Sequence, residues 1–243
     1  MEKLGSPKWL KVCTLFIVGV LLLFLGGCGK KNGNSPAFNI AAAWYIYNIE
    51  VINGTPGGQE SPFTFTTSDT TLNGTTSQGM LFTGTTNDTG VNFSGTDTTG
   101  VTYTYNGTVG ANGTTMQGSL SISPNIQGTW AGIINFGVAT VAIPTSSWAL
   151  ATGGTLGTID VTFTQSNNSI TLTTQQGQQS PLGSIASGGS GINNVAFVVN
   201  GSDGATYLFV GTVTSSANSL ATAMSGTWTS TTGASGTWSA TKS

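Results

Sequence analysis

The sequence predicts an all-β chain, an antiparallel meander folded as two tandem small β-barrels or sandwiches that arise from an internal duplication. Three observations predict it. Short segments alternate a large apolar residue with Thr or Ser, which is the period of a half-buried strand. Gly, Asn and Asp punctuate those segments at hairpin spacing. The segments then recur in the same order about 104 residues later.

Taken in order, residues 28–39 read as a flexible tether, because Lys30 to Asn39 is polar, carries Gly and Pro, and shows no apolar period. Trp44-Tyr45-Ile46-Tyr47 then forms the bulkiest cluster beyond the tether and marks the first strand. Its aromatic residues point to both faces. Such a strand is either buried on both sides, between the two copies, or exposes one row of rings to a partner, and burial is the expectation. Phe63-Thr64-Phe65-Thr66, Val101-Thr102-Tyr103-Thr104-Tyr105 and Ile159-Asp160-Val161-Thr162-Phe163-Thr164 alternate cleanly, which places their apolar members on one face.

Between them lie Asn53-Gly54, Asn73-Gly74, Asn106-Gly107, Asn112-Gly113, Asn200-Gly201 and Asp203-Gly204. These pairs supply the positive φ angles of tight hairpins, or bulges within strands. Asp69, Asp88, Asp97 and Asp203 sit in turn contexts. Val138 to Leu150 is the nearest approach to a helical period, and Pro144 breaks it. A disordered low-complexity chain would share the Gly and Thr content but would lack aromatic and β-branched residues recurring in register.

The repeat divides the folded part into residues 40–124 and 125–243. Phe63-Thr64-Phe65-Thr66 and Leu72 correspond to Val161-Thr162-Phe163-Thr164 and Leu172. Tyr103 to Val109 corresponds to Tyr207 to Val213 at an offset of 104, and Met116-Gln117-Gly118 to Met224-Ser225-Gly226 at an offset of 108. An offset that grows along the chain indicates duplication followed by loop insertion. In this division Gly128-Thr129-Trp130 opens the second copy, while Gly226-Thr227-Trp228 and Gly236-Thr237-Trp238 mark its last two strands. A meander whose first and last strands pair closes and removes its edges. Gly-X-Trp on a first strand resembles lipocalin-like and avidin-like meander barrels. That resemblance implies tryptophans packed near a barrel end and an interior able to hold a small ligand. It transfers no binding residue, so ligand-binding residues are unknown.

The first 27 residues carry a different message. Lys3, Lys8 and Lys11 precede an apolar run from Val12 to Leu25, fourteen residues long and short for a permanent membrane span. The run ends Leu25-Gly26-Gly27-Cys28, which resembles the lipobox of bacterial lipoproteins. The resemblance implies a signal peptide over residues 1–27, cleavage before Cys28, and acylation of its thiol and new amino group by palmitate-like fatty acids. Two or three chains hold a protein at a membrane essentially permanently, since each buried methylene contributes about 0.8 kcal/mol. Gly29 stands where an aspartate retains many lipoproteins in the inner membrane, so the resemblance points to the outer membrane. A plain uncleaved anchor or an ordinary secretory signal are the alternatives.

After cleavage the chain would carry Lys30, Lys31 and Lys242 against seven carboxylates, with no arginine and no histidine. Nucleic-acid binding needs a basic footprint, so nucleic acid is not an expected partner. Cys13 would leave with the leader and Cys28 would carry lipid, so no disulfide framework and no cysteine-based metal site is expected. Seven acids without clustering suggest no metal site, no cofactor and no catalytic set, although a pair such as Asp160 with Glu50 could meet in space. The chain is therefore expected not to be an enzyme. A transmembrane pore needs a lipid-facing apolar band as well as a filled or polar lumen, and the strands offer too few apolar residues for both.

Two non-enzymatic readings remain. In the favoured one the barrels are filled by their own side chains, and the protein serves a structural or surface-interaction role in the cell envelope, its partners being the membrane and an envelope component. In the other, a barrel interior carries a small apolar ligand.

Overall fold

The computed structural model describes residues 37–52, 55–153, 156–177, 179–180 and 182–243. Among the described residues sixteen strands and no helix occur. The first eight are β1 Ala43–Ile52, β2 Thr55–Ser68, β3 Thr71–Thr76, β4 Leu81–Asn87, β5 Gly90–Thr96, β6 Thr102–Val109, β7 Thr115–Ile122 and β8 Ile126–Ile134. They form one closed antiparallel barrel in which β8 returns to β1. A second closed barrel follows from β9 Ser147–Thr152, β10 Thr158–Ser166, β11 Ser169–Thr174, β12 Gly183–Gly189, β13 Ile192–Asn200, β14 Thr206–Ser215, β15 Ala221–Ser230 and β16 Ser235–Lys242.

The predicted repeats fall on equivalent strands. Phe63 and Val161 occupy the second strand of their barrels, Leu72 and Leu172 the third, Tyr105 and Phe209 the sixth, Met116 and Met224 the seventh. The expected division at residues 124 and 125 needs correction, because it falls in the β7–β8 turn. Trp130 lies on β8, which pairs with β1 from Trp44↔Ile134 to Glu50↔Gly128. Gly128-Thr129-Trp130 therefore closes the first barrel instead of opening the second, and its counterpart is Gly236-Thr237-Trp238 on β16. Closure is the physical reason: without β8, both β1 and β7 would present unpaired edges. The link between barrels is 135–146, and the segment considered for a helix supplies that link and then β9.

Each interior is filled by rings. In the first barrel Phe93 and Tyr105 stack, and Trp130 meets both edge-on at 5.4 and 5.6 Å. In the second barrel Trp238 meets Phe197 and Phe209 in the same way at 5.3 and 5.8 Å. Cross-strand glycine pairs make room for the indoles. Gly107 faces Gly118, and Gly211 faces Gly226. A Cβ on Gly118 would lie 1.9 Å from the Asn106 carbonyl oxygen, and one on Gly226 1.9 Å from that of Val210. The strands thus cross more closely than any other residue permits. Asn106-Gly107 is consequently mid-strand and not a turn. Asn73-Gly74 is mid-strand too, with Gly74 opposite Phe65, whose ring would lie 2.7 Å from an added Cβ.

Other turn assignments hold. Asp69 and Asp88 take positive φ, as do Gly113 and Gly204. Asn53-Gly54 lies outside the described residues.

The chain that leads into each barrel plugs the end it enters, here called the near rim. Ile40 is buried in the first core, and Trp44 Nε1 donates to its carbonyl at 3.0 Å. Val141 and Ile143 are buried in the second, and Trp148 Nε1 donates to the Pro144 carbonyl at 3.3 Å. The opposite ends are the far rims.

The two barrels pack side by side. Tyr47 and Ile49 of β1 with Ala131 and Ile133 of β8 meet Ala186 of β12, Ala196 and Val198 of β13, and Leu208 and Val210 of β14 in one buried apolar cluster. Because strand side chains alternate, Trp44 and Ile46 face the first core while Tyr47 faces the second barrel. The first strand is therefore buried on both sides, as expected. Near the near rims Thr114 Oγ1 donates to Asn194 Oδ1 at 2.9 Å. Toward the far rims Thr129 and Thr229 hydroxyls lie 3.0 Å apart, so the near rims share one side of the molecule.

Candidate functional site at the far rims

With the near rims plugged and the cores filled, the far rims are where side chains remain to meet a ligand. The second barrel has a cavity of about 460 Å³ at its far rim, lined among others by Leu156, Asp160, Gln175, Val199, Asn200 and Asp203. Strand β10 sets Asp160 at this mouth, and Gln175, just past β11, donates Nε2 to its Oδ2 at 2.9 Å. The β13–β14 turn sets Asp203, which accepts from the Ala205 amide at 3.1 Å and from the Tyr207 hydroxyl at 2.5 Å. The Tyr207 bond, then the Ala205 amide, holds the Asp203 carboxyl below the usual aspartate range. Asn200 Oδ1 accepts from the Thr206 hydroxyl at 3.1 Å. The rim is thus polar, acidic and already hydrogen-bonded.

The first barrel carries its polar groups further inside. Asn48 and Glu50 follow Trp44 and Ile46 on the inward face of β1 and are 6% and 3% exposed. Asn48 Nδ2 donates to the Tyr105 hydroxyl at 2.9 Å. Asn48 Oδ1 and Glu50 Oε2 have no hydrogen-bond partner among the described residues. Burial raises the Glu50 carboxyl above the usual glutamate range, and burial raises the Tyr105 phenol as well. At the rim, Asp97 binds the Thr99 hydroxyl at 2.7 Å and the Thr99 and Val101 amides at 2.9 and 3.0 Å, and its carboxyl is held low, first by the hydroxyl.

The pair considered from sequence does not form: Glu50 lies inside the first barrel and Asp160 at the mouth of the second. No three His, Cys, Asp or Glu side chains gather among the described residues. Asp69, Asp88, Asp97 and Asp203 all occupy turns. Trp130, Trp228 and Trp238 are core residues, 0%, 2% and 3% exposed. Cys28, the lipidation candidate, lies outside the described residues, as does the signal segment. Sequence reading passed over Asn48 and considered Glu50 only as a partner for Asp160, although both share the parity of Trp44 and Ile46. It also passed over the Asp203–Tyr207 bond, for which the spacing of four residues across a turn was the available sign.

A shallow groove runs between the barrels, floored by Thr108, Gln117, Gly118 and Thr129 on one side and Thr212, Thr227 and Thr229 on the other. Thr227 donates to Gln117 across it at 2.5 Å. Comparison with protein-family models, curated proteins and solved structures returned no match.

Proposed function

We infer that this chain is a lipid-anchored cell-envelope protein of non-enzymatic type, held at a bacterial membrane, by preference the outer membrane, through fatty acids on Cys28, with a structural or surface-interaction role. The observation that carries the role is the filling of both interiors by their own rings, Phe93, Tyr105 and Trp130 in one and Phe197, Phe209 and Trp238 in the other. A carrier of a small apolar ligand needs an apolar chamber. The cavity at the second far rim is instead lined by Asp160, Asn200 and Asp203 and opens to solvent.

Outward faces support the same reading. Strand β3 turns Leu72, Gly74 and Thr76 inward and Thr71, Asn73 and Thr75 outward, a face suited to water and to hydrogen-bonding partners. A lipid-facing band would require apolar residues there. What the molecule offers a partner is a large Thr-, Asn- and Ser-rich surface on two closed barrels, kept close to a membrane by a polar tether.

Expressing the full chain and its Cys28→Ser variant in a bacterium tests the anchor. The parent is expected in the membrane fraction and the variant in the soluble fraction or retained as precursor. Equal membrane retention of a fully processed variant would overturn the reading. Proteolysis of intact cells then reports which side of the membrane the barrels face.

A further inference from the structure

Phe136 and Val138 are 59% and 66% exposed in the segment that joins the barrels. Their backbone is nevertheless tied down. Phe136 N–H donates to the Ser187 carbonyl at 2.9 Å, and Gly137 N–H donates to Asn135 Oδ1 at 3.0 Å. The Gly137 carbonyl accepts from Ser187 N–H and from Asn168 Nδ2, each at 3.2 Å. Ala139 and Thr140 N–H donate to Asn168 Oδ1 and Asn193 Oδ1 at 3.3 and 2.8 Å. Gly137, at φ 131°, has open space where a Cβ would stand. A backbone fixed by this many bonds holds two neighbouring apolar side chains out in water. On a surface so rich in Thr, Ser and Asn, two exposed apolar side chains on one tied-down loop stand out.

Its position says what covers it. Asn135 N–H donates to the Ala43 carbonyl at 2.8 Å, so the loop begins beside the first residue of β1. Ala37 N–H donates to the Asp88 carbonyl at 2.7 Å, so the chain enters the first barrel at this same near rim. Leu220, 45% exposed, lies in the β14–β15 turn at the near rim of the second barrel. Cys28 precedes Ala37 by nine residues. A tether of nine residues with the composition read from the sequence would average roughly 17 Å end to end and reach at most about 32 Å. Such a link gives a contact on the same membrane an effective concentration on the order of millimolar, enough to populate an interaction too weak to hold a free protein. Lys30 and Lys31, close to Cys28 in sequence, and Lys242 at the end of β16 offset Asp69 and Asp88 at this rim, so no excess of negative charge holds this face away from a bilayer.

We propose that Phe136 and Val138 form a second, non-covalent membrane contact, seating the Asn135–Val138 loop at the headgroup boundary of the bilayer that holds Cys28. The near rims then face lipid, and the far rims, with the acidic mouth of the second barrel, face away. The proposal rests on the lipid-anchor reading.

The test uses the full chain matured in bacteria and reconstituted in phosphatidylcholine vesicles. With Cys28 acylated, an introduced cysteine is unique, so Val138→Cys and the far-rim control Ser202→Cys each take a single nitrobenzoxadiazole dye. Intact mass is read first, and a bare Cys28 overturns both the anchor and the loop contact. Given an acylated protein, the dye at 138 is expected to shift to the blue and to be quenched several-fold more by a nitroxide on the lipid chain than the dye at 202. Equal quenching at the two sites overturns the loop contact and leaves the anchor standing. As a second measurement, Phe136→Ser with Val138→Ser, read by a dye on Leu220→Cys, is expected to lower quenching at least twofold with an unchanged unfolding midpoint. Unchanged quenching contradicts the proposal.

Discussion

Phe93 stacks on Tyr105 with ring centroids 4.5 Å apart and planes 11° apart, and Phe197 stacks on Phe209 at 4.9 Å and the same angle. Each stack is closed by the indole of the last strand, which donates to a main-chain carbonyl, Trp130 to Asn106 at 3.3 Å and Trp238 to Val210 at 3.1 Å. Trp130→Ala and Trp238→Ala are each expected to cost about 3–5 kcal/mol, because each leaves a cavity among rings as well as a carbonyl without its donor. Urea unfolding followed by circular dichroism measures the loss, and a change under 1 kcal/mol, roughly the scale of an ordinary surface substitution, would contradict the assignment.

The glycine pairs give a sharper contrast. In Gly226→Ala the new Cβ meets the Val210 carbonyl oxygen, so two strands must separate, at roughly 3 kcal/mol or more. Gly233→Ala, at φ 83° in a turn with open space around it, is expected to cost only about 1–2 kcal/mol. Equal losses in the two variants would show that the barrel wall has slack where the strands cross.

How much of this was legible follows from which signals are local. Alternation at Phe63–Phe65 and Val161–Phe163, and the recurrence of Tyr103–Val109 as Tyr207–Val213, gave the strands, their order and the two copies. Trp130 was placed in the wrong copy because a closed meander makes its first and last strands neighbours, and a Gly-X-Trp triplet carries no sign of which it occupies. Asn73-Gly74 and Asn106-Gly107 have turn composition, yet their glycines serve the approach of Phe65 and Trp130, a long-range demand. Uninterrupted burial from Val195 to Val199 and from Tyr207 to Val210 encodes the second barrel's seat against the first, a pairing that periodicity alone does not separate from a deep core. At the candidate site, Asp203 was legible as a turn residue, whereas its bond to Tyr207 and the inward placement of Glu50 depend on how the barrel closes.

Glu50 makes stability depend on pH. Burial disfavours its charged form, so the folded protein holds the proton to higher pH than the unfolded chain does. The contribution is complete below the unfolded chain's glutamate pKa and is lost as pH rises through the folded value. Glu50→Gln is therefore expected to match the parent near pH 4 and to exceed it in urea midpoint at pH 8. A variant that is less stable than the parent at pH 8 would mean that the carboxylate is satisfied when charged.

The interface between barrels is expected to make them unfold together. Leu208, 1% exposed, lies in the apolar cluster that Tyr47 and Ala131 share with the second barrel. Leu208→Asp places a charge there, at a cost of several kcal/mol on the order expected for an unpaired buried ion. Calorimetry is expected to show one transition for the parent and two for the variant. Two transitions already present in the parent would contradict coupling through this face.

Native mass spectrometry of the protein drawn from bacterial membranes tests the account most directly. The expected mass is that of residues 28–243 plus the acyl chains on Cys28, with nothing else bound. A chain that keeps its leader and a free thiol, or one that carries a small apolar molecule in one-to-one ratio, would contradict a lipid-held pair of self-filled barrels.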